Sequence, residues 1–502
     1  MAADLHARGV RTNPVGVVDH RGGDLLAGGT LSLQAGGRID NGLLGSVGGK
    51  LQANQISIDG GSLNNAGGQL VQSGSGATRV VIGGAFDNTG GTLASNGQDL
   101  TISAGSVENA QGRIEHAGAG SLSVTSRGAL GNSGGRLVSQ GQLSVGASAA
   151  LNNQSGVIAA AGDAVVTAAS LNNVGGSVAA RGLTVQTTGA ADNRNGLLQA
   201  NGGALILRAD SLSNAGGTVH ALANAGVGGG LRVELTRSLD NGNGVIGASN
   251  DAVITAENIS SSGGSLQAGR DLNVTARGQL DNHQGGKLSA GRDLIVVATG
   301  ALLNSGGQLD AGNALTASAG RIDNTQGSIV NNGGGLTRIT TGGALTNTSG
   351  NLGGRGSVVI DAASIANNSG QLVAGGDLIA NTSALNNQGG NVYAGANFRL
   401  ERSGATLDNR NGKIKAEQSV RLNVQSLSNA GGQIGAGSTT GGAGDVVIDT
   451  VGFDGGGSIL AQNLLDMTLR SDYTHRAGAD LTSNGDFNLR VGGNLVNEAT
   501  LK

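Results

Sequence analysis

The side chains best suited to chemistry in this chain are carboxylates, and seven of them stand in file. Asp40, Asp87, Asp192, Asp240, Asp281, Asp323 and Asp408 each immediately precede an asparagine in the same short frame. Carboxylates gathered on one face, with basic partners, are what cleavage of a polysaccharide requires. One acid per copy of a repeated frame is instead repeat grammar, and strand alternation turns such side chains outward from the neighbouring asparagine. The six histidines (His6, His20, His116, His220, His283 and His475) show no metal-ligand spacing, and each reads as a solvated coil or turn residue. Cysteine is absent, which removes thiolate metal sites and cysteine nucleophiles. Residues 42–50 (GLLGSVGGK) look like a phosphate loop, but the first glycine is misplaced and Leu51 stands where Ser or Thr is needed. Residues 441–445 (GGAGD) look like part of a calcium nonapeptide, with the acid one place early and no nine-residue period. No catalytic, cofactor-binding or metal residue is expected.

The elements that must position these side chains are set by the frame itself, apolar–x–Asn–x–x–Gly. Its asparagine slot falls at Asn65, Asn88, Asn109, Asn132, Asn153, Asn173, Asn193, Asn214, Asn241, Ser261, Asn282, Asn304, Asn324, Asn347, Asn367, Asn387, Asn409 and Asn429. These 18 copies, one of them with serine, recur at intervals of 20 to 27 residues, mostly 20 to 23. A steady period of this length means one structural unit stacked on itself. After each slot apolar or small residues alternate, as in Leu266, Ala268, Leu272, Val274 and Ala276, or Ile158, Ala160, Ala164, Val166 and Ala168. That spacing of two is strand periodicity, punctuated by glycine, and it predicts about two short strands per unit.

A unit of this size cannot fold alone. Ordering its backbone costs roughly 1–2 kcal/mol per residue, and burying a large apolar side chain returns only about 1.5–3 kcal/mol. Stacked coils, each hydrogen-bonded to those above and below, resolve the conflict, so the fold expected is an all-β parallel β-helix with coils of about 20–23 residues. At ~4.8 Å per strand, 18 coils would extend about 85 Å, an elongated rod expected to be monomeric. Equivalent residues then lie over one another, and the seventeen asparagines form a hydrogen-bonded ladder. The glycine three residues on is expected to supply a turn with positive φ.

Composition agrees. The 96 glycines coexist with 37% hydrophobic and only 13% charged residues, and the apolar ones are in phase, which excludes disorder of the repeat region. Pro14 is the sole proline, consistent with continuous strand pairing after it. A net charge of −3, no basic run and 1% aromatics argue against nucleic-acid binding. The first twenty residues lack the apolar core of a signal peptide, and no apolar stretch is long enough to span a bilayer. The chain therefore either stays inside the cell or is an internal piece of a longer exported protein, and its lack of cysteine suits passage across a membrane unfolded.

Three regions are expected: an irregular lead-in over 1–38, the repeats over 39–434, and over 435–502 a Gly-rich break followed by divergent coils. Ile39-Asp40-Asn41 is a degenerate copy with Leu44 in its glycine place, and residues 223–230 are an inserted loop or bulge. The tail carries Asp472-Tyr473-Thr474-His475 and then AGADL, and five of the six aromatics lie beyond residue 390.

Repeats of the LNNAGG kind followed by that tail motif resemble the filamentous haemagglutinin family, the large exoproteins of two-partner secretion. The resemblance covers 39–434 and 472–502. It implies a right-handed coil, export through a dedicated outer-membrane transporter, and a secreted or cell-surface location. It also implies a role in adhesion, virulence or contact-dependent growth inhibition, with a host-cell or bacterial receptor or glycan as partner. The family's secretion-domain motif is approached only by Asn13-Pro14-Val15-Gly16. Val107-Glu108-Asn109-Ala110 resembles a pre-toxin motif but sits inside an ordinary repeat. The expected function is a structural or adhesive shaft without enzyme activity. The alternative is a carbohydrate-active β-helix enzyme, a polysaccharide lyase or hydrolase; the passenger of a self-translocating autotransporter is a third reading.

Overall fold

Leucine, isoleucine and valine at every second position, with glycine at the corners, make strands too short to stand alone and turns too tight for helix. The computed structural model describes residues 5–7, 10–12, 16–438 and 444–499, with side chains from 16 onward. Among these there is no helix, and none therefore that is long and apolar enough to cross a membrane. Two compact units are present, Met1–Ala256 and Glu257–Lys502, and each winds as a parallel β-solenoid.

In the first unit, the coil that opens at Asn153 shows the plan. A turn leads to Val157–Ala160 on a first face, then Ala164–Ala168 on a second, then Ser170–Asn172 on a third, and Asn173 begins the next coil. Each face pairs in parallel with the next coil: Ile158 with Val178, Val166 with Val185, Leu171 with Ala191. The third strand corrects the expectation of two. Its three residues are the start of the frame itself, too few to display a period. In the second unit the plan repeats, as in Gln371–Ala374, Leu378–Asn381 and Ala384–Asn386 before Asn387.

Alternation decides what is buried. Ile158, Val166 and Leu171 in one unit, and Leu266, Leu272, Val274 and Leu280 in the other, are at most 2% exposed. Each such side chain sits on the equivalent residue of the neighbouring coil, so the core is a set of stacked aliphatic columns worth about 1.5–3 kcal/mol per large residue.

Strand structure also extends into the lead-in. Asp24–Asp40 forms one long strand whose pairing with Lys50–Asn64 is interrupted by two register shifts. The inserted segment within 223–230 is an antiparallel hairpin, Ala223 and Asn224 facing Gly228 and Val227. A second hairpin, Leu43–Leu44 against Val47–Gly48, occupies the sequence that resembles a phosphate loop and gives it no strand–loop–helix setting. The Asn13-Pro14-Val15 part of the secretion-like motif lies outside the described residues, as do residues 441–443 of the calcium-like one.

Candidate functional site

Every asparagine of the repeat slot is fully buried, as is Ser261. In the first unit a file of carboxamides runs from Asn41 to Asn241 through nine bonds, each Nδ2 donating to the Oδ1 of the next coil at 2.6–2.8 Å. In the second unit seven such bonds, 2.7–2.8 Å long, run from Asn282 to Asn429. Nδ2 also reaches backbone carbonyls, two in most coils. That of Asn173 reaches Gly176 of its own turn at 3.3 Å and Leu197 of the next coil at 3.1 Å. The backbone N–H of Asn173 donates to Asp192 O at 2.7 Å, so the coil corner is hydrogen-bonded inside and out. A buried amide with its donors and acceptor placed in this way carries little desolvation penalty.

Asn41 belongs to this file although its frame looked degenerate. The Leu43–Gly48 hairpin is inserted into its turn, and Gly49 takes the glycine place: a Cβ there would strike Asn41 Oδ1 and His20 O. The signal was present as a second glycine beyond an insertion, Gly48-Gly49.

The glycine of the frame has a different role from the one expected. The left-handed residue is the one before it, at slot plus two, where Gly175 has φ 61° and Ser155 φ 53°. Glycine at slot plus three is required by space. A Cβ on Gly176 would run into the carbonyl oxygen of Asn153 in the preceding coil and lie 2.7 Å from Asn173 Oδ1. The same two obstacles meet Gly91, Gly112 and Gly135 in one unit and Gly327, Gly350 and Gly370 in the other.

The acid file caps corners. Asp87, Asp192, Asp240, Asp281, Asp323 and Asp408 each accept the N–H two residues on, the Asx turn that favours Asp and Asn at such places. Asp40 does the same with Gly42 N–H and is itself buried, unlike the others. Arg194 and Arg410 fold back on Asp192 and Asp408 at 2.7 Å, and these hydrogen bonds hold both carboxyls below the usual range. Carboxylates engaged in this way are neither poised nor paired for hydrolysis.

Two histidines contradict the solvated reading. His116 is 1% exposed, its Nε2 3.0 Å from Gly97 O, in an inward file with Gln72, Ser95 and Ser139. His475 is fully buried, and its Nδ1 is hydrogen-bonded to the Tyr473 hydroxyl at 3.0 Å. Burial pushes that phenol up to about 12. Phe453, in register with Leu427, stacks on Tyr473 with ring centroids 5.5 Å apart, so the tail continues the leucine column of the third face with aromatic rings. No three His, Asp or Glu side chains converge as a metal site would require among the described residues. A shallow pocket of about 390 Å³ does bring Asp454 and Asp472 together with Arg476. Both acids are engaged by backbone: Asp454 accepts from Asn429, Ala430 and Gly456, and Asp472 from Asn494.

The family model for the haemagglutinin repeat matches residues 2–90, 75–134, 138–226, 223–284, 283–349, 346–404 and 390–502. No curated protein and no solved structure matches the chain.

Proposed function

Because the chain belongs to the haemagglutinin repeat family, we propose that it is a shaft segment of an exported cell-surface protein, displaying or mediating adhesion or contact between cells. The repeat family is structural and adhesive, and its members are generally secreted or held at the cell surface. The observation that carries the reading is the corner. The coils devote their buried slot asparagines, their close-approach glycines and, in seven of them, a capping aspartate to holding the next coil, while the outward positions of the faces vary freely. Such a scaffold spends its repeated residues on continuity and leaves recognition to local departures.

Export would use an outer-membrane two-partner-secretion transporter, and the absence of cysteine in 502 residues suits threading without disulfide traps. The partner at the far end would be a receptor or glycan on a host or bacterial cell. The test is adherence. Beads coated with the purified chain should bind epithelial or bacterial cells saturably, and soluble chain should compete. Beads that adhere no better than those coated with an unrelated β-solenoid would reject the adhesive role. The enzyme reading would require release of sugar ends from polysaccharides, with loss of that activity in Asp454→Asn or Asp472→Asn.

A further inference from the structure

One outer face of the second unit departs from the rest. On its first-face strands Asn391–Ala394, Lys413–Ala416, Gln433–Ala436 and Ser458–Ala461, parallel register stacks Tyr393, Lys415, Gly435 and Leu460 in one outward column. Beside it stand Asn391, Lys413, Gln433 and Ser458. Gly435 leaves a gap in the first column between Lys415 and Leu460, and the result is a groove of about 490 Å³.

Four features define what this groove would accept. Tyr393 is the only Phe or Tyr in an outward column among the described residues; Phe86, Phe398 and Tyr473 are buried, and the half-buried Phe453 and Phe487 continue the inward columns of Leu427 and Leu465. Its ring is held, since the hydroxyl donates to Glu417 Oε1 at 3.1 Å and Lys415 Nζ closes on the same carboxylate at 2.9 Å. Lys413 has no carboxylate partner among the described residues, and no acid lines the groove. The remaining walls offer the amides of Gln433 and Gln462, the hydroxyl of Ser458 and the apolar side of Leu460.

The strands beneath already pair on both edges, so an extended peptide cannot add to the sheet, and recognition falls to side chains. An apolar ring face, an uncompensated ammonium and a comb of amides and a hydroxyl suit a ligand with C–H faces, many hydroxyls and one anionic group. We propose that this groove binds a saccharide bearing a carboxylate, with Tyr393 under a sugar face and Lys413 on the carboxylate. This deepens the adhesive reading and rests on it.

Gly435 supplies the decisive variant. Its φ is outside the left-handed region, and a Cβ there meets only Leu460 O at 3.6 Å, so a side chain is tolerated and fills the gap. The test is surface plasmon resonance on the immobilised chain, with a glucuronate-containing oligosaccharide, sialyllactose and neutral lactose as probes. One or both acidic sugars should bind saturably and lactose at least about tenfold more weakly, with the better acidic probe identifying the source class. Gly435→Gln and Tyr393→Ala should each weaken binding about tenfold or more with unchanged melting, and Lys413→Gln should erase the preference over lactose. No saturable binding of either acidic sugar overturns the proposal, as does equal binding by wild type and Gly435→Gln, or by lactose. If cells still adhere to beads in those cases, the groove is wrong and the adhesive reading stands.

Discussion

Asn282 buries a carboxamide oxygen that no donor reaches, on the coil stacked directly after Ser261. Apart from Asn41, which opens the file of the first unit, that oxygen elsewhere takes the Nδ2 of the preceding slot, as Asn304 Oδ1 takes Asn282 Nδ2 at 2.8 Å. A serine hydroxyl is too short to replace it. The one irregular letter in the repeat thus has a structural cost at its neighbour.

Ser261→Asn should therefore stabilise the protein. Supplying the missing donor to a buried acceptor is worth about 1 kcal/mol, up to ~3 if the orphaned oxygen now bears its full desolvation cost. A urea midpoint that is unchanged or lower would show that the slot at 261 has no room for the carboxamide.

Asn173→Leu should cost about 2–4 kcal/mol, since it leaves Asn193 Oδ1 without its donor and removes the acceptor of Asn153 Nδ2. Its neighbour Asn172 is half-buried and bonds outward to Asn152 Oδ1 and Val174 N–H. Asn172→Ser should cost below about 1 kcal/mol. Urea melts in the reverse order would remove the stabilising role assigned to the file.

Adjacent glycines should respond differently to the same change. Gly175→Ala places a side chain at positive φ, a strain of about 1 kcal/mol that Ser155 already tolerates at the equivalent position. Gly176→Ala drives a Cβ into Asn153 O, and the coils must part, at about 2–3 kcal/mol or more. Gly175→Asn should be milder than Gly175→Ala, because Asn occupies the left-handed place at Asn195, Asn243 and Asn411. Equal melting of the two alanine variants would contradict this division.

Acid should weaken the corners. The carboxyls of Asp192 and Asp408 lie below their ordinary value of 3.8, chiefly through hydrogen bonds from Arg194 and Arg410. A depressed folded value gives stability that is present above the ordinary value and is lost as pH falls through the folded one. The midpoint in urea should thus drop below about pH 4, by a small step, since solvent screens both pairs. The double variant Asp192→Asn/Asp408→Asn should start lower at pH 7 and fall less between pH 4 and 2; a parallel fall would place the acid sensitivity elsewhere.

The letters of the frame were enough to determine that this chain stacks. An asparagine returning every 20 to 23 residues, with aliphatics in alternation behind it, has one economical solution, because only in-register coils pair every backbone group and bury every column. That reasoning also turned the acids outward from the asparagines, since both follow from parity along one strand, and it failed only at Asp40, which is buried. What crosses from coil to coil was decided by the tertiary structure alone. Gly176 is glycine because of the carbonyl of Asn153, twenty-three positions earlier, and no local pattern reveals that distance. His116 and His475 are interior because of the column in which their coils place them, although their type suggests solvent. The third strand was hidden in three residues, and the hairpin at Leu43 displaced a glycine whose place could be recognised only once the coils were stacked. The groove beside Tyr393 has the same origin: its residues come from four strands spread over seventy positions, and register, rather than spacing in the chain, makes them neighbours.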